Sequence, residues 1–396
     1  MKRKVLIFLI ILSLALLMVL IALYVPNSLP VNSDFSAIYN TDLALVHRIP
    51  IYDLEQVEAL VVQYAGIPEE DFFLARFPYP PWYALSTFYL GLLPAPSAGL
   101  LWFQLNLVML FLSVWLLTDG WPGRLRLLAF PLALIFFPVL GALSVGQYDF
   151  PLLLGTSLLI YSLRRQNVPL TVTGMVLLTF KPHLGALILL AALGWLIYNG
   201  GTFWQRVMRP LILTGISLFA LGFLADPAWI VRYPKMLLSY QNEGNVTSCS
   251  ECASLPVWIS RWFSDGSLTT AVVIALVLLI IFVAVFYFTR DLWKPHELLL
   301  TFALLVTLLV SPYLYNYDFL MLLVPFAVLI HKSNLLEKIV VLLCYLVPAF
   351  ALILYGRNGN LSLVVVAAVL LTLLYRGRNR FSQIKNESTN FANLHD

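Results

Sequence analysis

The chain has 396 residues, of which 61% are hydrophobic and only 11% are charged. The charged share is about half that of an average soluble protein, so a soluble fold would expose large apolar patches. Apolar runs recur along the chain without a break long enough for a soluble domain. Composition therefore predicts an all-α, polytopic membrane protein with a single transmembrane domain at 1–375 and a cytoplasmic tail at 376–396. Nothing in its net charge of +4 indicates nucleic-acid binding.

The first apolar run, at 5–25, follows the basic triplet at 2–4. It has about 21 residues, enough to cross a hydrocarbon core of about 30 Å. It lacks the small-residue cleavage site of a secretory signal, so it is predicted as a retained first span. The basic flank places the N-terminus in the cytoplasm.

A long polar segment follows and is predicted as the first outer loop, 26–96, with a short surface helix near 53–64. The aromatic stretch 82–93 can be interpreted either as a span or as a helix lying in the membrane interface. Charge distribution favours the interfacial helix. With that choice, basic pairs such as Arg124 with Arg126 fall on the cytoplasmic side, as the positive-inside rule expects.

The remaining apolar segments are then predicted as spans, at 97–117, 127–145, 150–163, 168–180, 184–198, 211–224, 268–288, 298–310, 319–330, 339–355 and 361–375. With 5–25 they make about twelve transmembrane helices, with both termini in the cytoplasm and a second long outer loop at 225–267. Several middle spans are shorter than the roughly 20 residues that lipid requires. Short spans are tolerated beside a watered cavity walled by protein, so a cavity that opens outward is expected.

Cys249 and Cys252 form a C-S-E-C pair in the second outer loop. A zinc site would need two further ligands, and the sequence has neither a second CxxC nor an HxxxH pattern. No metal or other cofactor is therefore predicted. A local disulfide and two free thiols both remain open for this pair.

Polar clusters lie at the predicted outer ends of the spans, at 33–34, 146–149, 181–183 and 311–318. Charged side chains at membrane depth are costly and usually face a cavity, whereas at the headgroup level they cost little. Four clusters on one face favour a shared site. Lys181 is the lone charge of a tight hairpin. It can bind a lipid phosphate together with His183, snorkel to the interface, or pair with Asp34 or Asp149.

The order of these motifs resembles the membrane-embedded glycosyltransferase C superfamily. It is most similar to the polyprenol-phosphate-mannose-dependent α-mannosyltransferases of glycosyltransferase family 87. The resemblance covers about 1–331 and rests on S-D-F at 33–35 followed by Tyr39, Y-P-P-W at 79–82, G-Q-Y-D at 146–149, K-P-H at 181–183 and S-P-Y-L-Y-N-Y-D at 311–318. Family members often have Asn soon after the G-Q pair, where this chain has Tyr148 and Asp149, so the role of Asp149 stays open.

The resemblance implies a glycosyltransferase C-like fold and a hexosyltransferase of the cell envelope. It would move a hexose, with mannose expected, from a polyprenyl-phosphate donor to a glycolipid or glycan acceptor on the outer face of the cell membrane. The resemblance also implies that Asp34 is the general base, a role that fits the chemistry because a sugar hydroxyl is a poor nucleophile until its proton is removed. The resemblance also implies inversion at the anomeric carbon.

The phosphate leaving group needs no acid, unlike that of the two-carboxylate glycosidases, but its charge must be stabilised. Lys181 and His183 are the candidates for this role. Weaker substrate contacts are expected from Tyr39, Gln147, Asp149 and Asp318, and the two acids are also where a divalent cation would bind if one were used.

Two other classes share this general layout. An O-antigen polymerase or ligase typically carries paired arginines in a large late outer loop, where this chain has only Arg232 and Arg261. A lipid or solute transporter favours inverted repeats and ionisable residues near mid-membrane. Because the polar residues here cluster on the outer side, the transferase is the favoured interpretation.

Overall fold

The computed structural model describes residues 34–65, 75–242, 253–263, 267–330, 333–355 and 363–377, together with 11, 15, 18 and 19. Within these ranges the regular structure is helical and there is no strand, which confirms the all-α prediction for them. Most of the predicted first span, Ser33 and the Cys249 and Cys252 pair lie outside the described residues.

The first half of the chain folds into α1 (Asp34–Val46), α2 (Leu54–Ala65), α3 (Pro81–Thr87), α4 (Ala95–Leu117), α5 (Gly123–Leu134), α6 (Phe137–Val145), α7 (Asp149–Arg165) and α8 (Val168–Leu178). The second half contains α9 (Pro182–Asn199), α10 (Thr202–Ala225), α11 (Trp229–Asn242), α12 (Leu255–Phe263), α13 (Leu268–Phe288), α14 (His296–Val310), α15 (Leu323–Ile330), α16 (Leu335–Tyr355) and α17 (Leu363–Gly377). Short 3-10 helices occupy Phe88–Leu92, Arg290–Trp293 and Asn316–Leu322.

In the described part of the chain, four helices are long and apolar enough to cross a bilayer, namely α4, α9, α10 and α13. The predicted span 127–145 is divided between α5 and α6, which are bent by 53° relative to each other and add a fifth candidate if the pair is one span. Pro138 in the first turn of α6 explains the break, since proline lacks the N–H that would continue α5. The chain is therefore a membrane protein.

The aromatic stretch 82–93 does not form one continuous helix. It contains most of the seven-residue α3 and the five-residue 3-10 helix Phe88–Leu92. Neither approaches the roughly 20 residues that a span needs. The twelve spans, the limits of a single domain and the sides of the termini stay predictions.

The centre of the bundle is α14, in which every residue except Glu297 is buried. A helix that is apolar all round must be covered on all sides, and α14 packs against α7, α9, α13 and α15. α7 and α8 approach closely because Gly155 faces Gly174. A Cβ at either glycine would lie within 3.0 Å of the carbonyl oxygen of the other. Small residues allow this close approach of helix backbones in membranes.

Short turns join α7, α8 and α9, so these helices run antiparallel and their ends alternate between two sides of the bundle. We call the site end the side where α7 begins, α8 ends, α9 begins and α14 ends. The opposite side is the far end. Asp34, Gly146, Lys181 and Ser311 all lie next to helix termini at the site end.

At the site end, the polar segment around Tyr52 and Asp53 is joined to the polar segment that follows α10. The link is Asp226, a buried residue between α10 and α11. Its carboxylate accepts hydrogen bonds from the N–H groups of Tyr52, at 3.4 Å, and Ala228, at 2.8 Å. Arg232 lies 3.2 Å from Asp53 and 3.4 Å from Asp226, and so links the first polar segment to the second.

Candidate active site

Lys181, in the turn between α8 and α9, is only 2% exposed and lies between two carboxylates. Its ammonium donates to Oδ1 of Asp149 and to Oδ1 of Asp318, each at 2.6 Å. The sequence suggested Asp34 or Asp149 as the ion-pair partner of Lys181. The structure confirms Asp149 and shows Asp318, rather than Asp34, as the second partner.

These two carboxylates keep the buried lysine charged. Burial alone lowers the pKa of Lys181, but Asp149 and Asp318 outweigh it, and the pKa is raised overall. Both acids are almost fully buried, at 0% and 1% exposure. Burial raises the pKa of Asp149 to about 8, so near pH 7 the ammonium faces one ionised and one protonated carboxyl group and the cluster is close to neutral.

Helix starts bring the acids of the site to one place. Asp149 is the first residue of α7, and Asp34 is the first described residue of α1. Asp318 lies in the first turn of the 3-10 helix Asn316–Leu322, where its Oδ2 accepts a hydrogen bond of 2.6 Å from the N–H of Tyr315. The N-terminal end of a helix carries unpaired N–H groups and the positive end of the dipole, which stabilise a carboxylate.

Asp34 lies beside this cluster in a different environment. Its Oδ2 accepts a hydrogen bond of 2.6 Å from Nε2 of Gln147. Oε1 of Gln147 accepts from the N–H of Tyr148 at 2.9 Å, which fixes the orientation of the amide. Tyr317 also hydrogen-bonds to the Asp34 side chain. Asp34 is partly exposed, so of these three acids it is the one that a substrate can reach.

The surroundings make Asp34 more basic than an ordinary aspartate. Burial raises the pKa of Asp34 to about 6, against the charge of Lys181 and the hydrogen bond from Tyr317, which lower it. Asp318 adds a smaller rise. A base works best when its pKa lies near the working pH, so Asp34 is ionised near neutral pH and still takes up a proton readily.

The glycine of G-Q-Y-D allows this geometry. Gly146 has φ +68°, a conformation that side chains rarely adopt, and a Cβ there would lie 2.6 Å from Cβ of Phe35. Nε1 of Trp102 donates to the Gly146 carbonyl at 2.9 Å. The turn between α6 and α7 is therefore held between α1 and α4, which brings Gln147 to Asp34.

Aromatic rings surround the acids, a feature that was not predicted from the sequence. The rings of Tyr79 and Tyr148 have centroids 4.5 Å apart, and Tyr83 stacks on Phe180 at 4.5 Å. Tyr317 lies beside the cluster, with its ring 5.7 Å from the Lys181 ammonium. The available signal was that tyrosine directly precedes the acid in both G-Q-Y-D and N-Y-D.

The other predicted residues lie at the edge of this arrangement or outside it. His183 is exposed in the first turn of α9, with its ring centroid 6.0 Å from that of Tyr313. Tyr39 is buried in α1, and its hydroxyl donates to the Leu93 carbonyl at 2.9 Å. The structure thus brings together Asp34, Gln147, Asp149, Lys181 and Asp318, places His183 nearby and directs the Tyr39 hydroxyl elsewhere.

Within the ranges that the structure covers, no group of three or more His, Cys, Asp or Glu side chains is arranged to hold a metal ion. The position between Asp149 and Asp318 is filled by the Lys181 ammonium. A reachable carboxylate held by an amide, next to a cation with a fixed position, is suited to removing a proton from a bound hydroxyl group.

The chain was compared with protein families and with individual known proteins. The model of glycosyltransferase family 87 matches 77–312, more than half of the 396 residues. This confirms the family that the motifs suggested. The matched stretch includes Gln147, Asp149, Lys181 and His183, whereas Asp34 lies before it. No curated protein and no solved structure matched the chain.

Proposed function

Because the chain belongs to glycosyltransferase family 87 and is thus a membrane glycosyltransferase, we propose that it moves mannose from a polyprenyl-phosphate donor to a glycolipid or glycan acceptor. We place this reaction at the outer face of the cell membrane. The family supports a sugar donor and an acceptor. The polyprenyl phosphate and the mannose are supported by the resemblance of the motifs, and the outer face by the distribution of basic residues.

One observation carries the proposal: the partly exposed Asp34, held by Gln147, lies beside the buried cluster of Lys181 with its two acids. Asp34 removes the proton of the acceptor hydroxyl while that oxygen attacks the anomeric carbon. The bond from this carbon to the donor phosphate breaks, and the phosphate leaves with the electron pair. Attack on the face opposite the phosphate inverts the configuration.

Lys181 and His183 are the proposed partners of the donor phosphate. The Lys181 ammonium is buried and held by Asp149 and Asp318, so it stabilises the charge of the phosphate from a fixed position. His183 is exposed two residues further along the chain and makes the direct contact with the phosphate. The surrounding tyrosine rings keep water from competing with the acceptor.

Transfer can be tested in membranes with labelled polyprenyl-phosphate mannose or glucose and an Asp34→Asn variant. We expect this isosteric change to lower the rate at least ~100-fold, the usual contribution of a general base. Undiminished transfer by the variant would exclude Asp34 as the base. A labelled product from glucose alone would replace mannose as the transferred sugar.

Asp42→Asn is the matched control, since Asp42 lies on the same helix, is fully buried and accepts a hydrogen bond of 3.1 Å from Thr87. Burial raises the pKa of Asp42 well above its ordinary value, so a neutral amide is a close replacement. We expect this variant to transfer sugar as the wild type does.

The phosphate contact has a separate test. His183→Ala is expected to raise KM for the donor about tenfold with little change in kcat, because a contact made equally in the ground and transition states affects KM alone. His47→Ala, an exposed histidine just after α1, is the control. Unchanged donor saturation in His183→Ala would contradict the assignment.

A further inference from the structure

A cleft of about 750 Å³ opens between α9 and α13, with α14 as its floor. Its volume lies in the range of about 300–1,000 Å³ that is typical of sites for small ligands. The lining is mainly apolar and aromatic and includes Gly194, Trp195, Tyr198, Phe282, Phe286 and Phe302. The cleft is open to the side, and Tyr198 at its mouth is 88% exposed.

The cleft exists because α9 and α13 do not pack closely against each other. A Cβ added at Gly194 of α9 would meet no atom within 4 Å. α13 is strongly apolar, yet very little of it is buried against the rest of the described chain. An apolar surface open at membrane depth is covered by lipid chains, so the cleft can hold one chain between the two helices.

The polar end of the cleft is basic. Arg290 and Lys294 lie there with a single acid, Asp291, which pairs with Lys294 at 3.1 Å. Both partners of this pair are exposed, so the pair contributes little and leaves Lys294 available. Arg290 lies over the ring of Tyr287, at 5.5 Å, and pairs with no acid among the described residues.

A hydrogen bond and three aromatic rings also lie at this end of the cleft. Nε1 of Trp195 donates to the Lys294 carbonyl at 3.0 Å and so joins α9 to the segment that follows α13. Trp195, Tyr198 and Tyr287 place aromatic rings beside the basic residues. Aromatic and basic side chains occur together where a helix leaves the hydrocarbon and meets the headgroups.

We infer that this cleft binds an anionic phospholipid, with one acyl chain between α9 and α13 and its phosphate at Arg290 and Lys294. Basic pockets between membrane helices are known to bind such headgroups. α9 begins next to Lys181 and has 18 residues, so its two ends are roughly 27 Å apart. The phosphate at the far end therefore belongs to a lipid of the opposite leaflet, distinct from the glycosyl donor.

The test measures which lipids stay bound to the purified full-length chain, by native mass spectrometry after reconstitution with phosphatidylcholine and phosphatidylglycerol. We expect the wild type to retain phosphatidylglycerol about tenfold more than phosphatidylcholine. Gly194→Leu fills the cleft and should lower retention of both lipids about tenfold. Arg290→Gln combined with Lys294→Gln should abolish only the preference for phosphatidylglycerol.

Gly215→Leu is the matched control, because Gly215 of α10 also faces open space but does not line the cleft. Retention in this variant should equal that of the wild type. Equal retention of the two lipids by the wild type would overturn the inference, and so would equal losses in the two leucine variants. Retention of a polyprenyl phosphate in place of the phospholipid would overturn it as well. The readout involves no sugar transfer, so it stands apart from the proposed activity.

Discussion

At the scale of single residues, the three acids of the site differ in their hydrogen-bond and ion-pair partners. Asp149 and Asp318 are shielded from solvent and share one ammonium, which balances one carboxylate, while burial raises the pKa of Asp149 to about 8 and keeps the other carboxyl group mostly protonated near pH 7. Asp34 faces an amide and a phenol and stays partly exposed. The first two acids are therefore suited to holding the structure, and the third to exchanging a proton with a substrate.

The pKa of Asp34, about 6, predicts how the rate depends on pH. A general base acts in its ionised form, so kcat/KM should be constant above about pH 7 and should fall as the pH drops through about 6. Tyr317→Phe removes a hydrogen bond that lowers the pKa of Asp34, and the fall should then begin at higher pH. Profiles of kcat/KM for both proteins check this.

Tyr198→Phe, at the far end, removes a hydroxyl remote from Asp34 and should leave the profile unchanged. A Tyr317→Phe profile displaced to lower pH would contradict the assigned hydrogen bond. An acid limb that is also present in a slow Asp34→Asn enzyme would show that another group titrates.

At the scale of elements, the turn between α6 and α7 fixes the position of Asp34 relative to the rest of the site. Gly146→Ala should destabilise the fold by about 1–3 kcal/mol, through the positive φ and the clash with Phe35. It should also lower transfer, because relief of the clash moves the start of α1. Thermal unfolding in detergent and the transfer assay measure the two effects.

Gly141→Ala is the control for this change, since Gly141 lies in α6 and a Cβ there has its nearest neighbour at 4.0 Å. This variant should be close to the wild type in both measurements. If the two alanine variants behaved alike, the close approach at Gly146 would not be what positions Asp34.

The sequence predicted that the polar motifs share one site. Charged residues that interrupt apolar runs are easy to recognise, and helix termini on the same side of a bundle can lie close together. The second partner of Lys181 could not be predicted, since Asp318 is 137 residues away and only helix packing decides which acid reaches the ammonium beside Asp149. The bend between α5 and α6 was also missed. A uniformly apolar run gives no hydropathy signal at a break, and proline at 138 fits either a helix start or a kinked span.

At the scale of the whole molecule, the distribution of basic residues predicts which side each segment faces. Ala59→Cys in α2 should react with a membrane-impermeant thiol reagent in intact cells, and Gly123→Cys at the start of α5 only after permeabilisation. Both positions are exposed, and the native cysteines are first replaced by serine. Labelling of Gly123→Cys in intact cells would mean that the stretch 82–93 crosses the membrane.

The two polar segments of the site end behave as one structure, because Arg232 and Asp226 hold the segment around Tyr52 and Asp53. The Tyr52 hydroxyl also donates to the Tyr79 carbonyl at 2.6 Å, and its ring lies 5.2 Å from that of Tyr233. The segment that contains α1 is therefore held in place by residues from the middle of the chain.

The wide spacing of the Lys181 partners has a consequence for biosynthesis. Asp149 precedes the lysine by 32 residues and is available when Lys181 leaves the ribosome. Asp318 comes 137 residues later, a delay of roughly 7 to 27 seconds at about 5–20 residues per second. During that time Asp149 is the only one of the two partner acids that has been synthesised. The proposed active site is thus complete only late in translation, although Asp34 is among the first of its residues to be made.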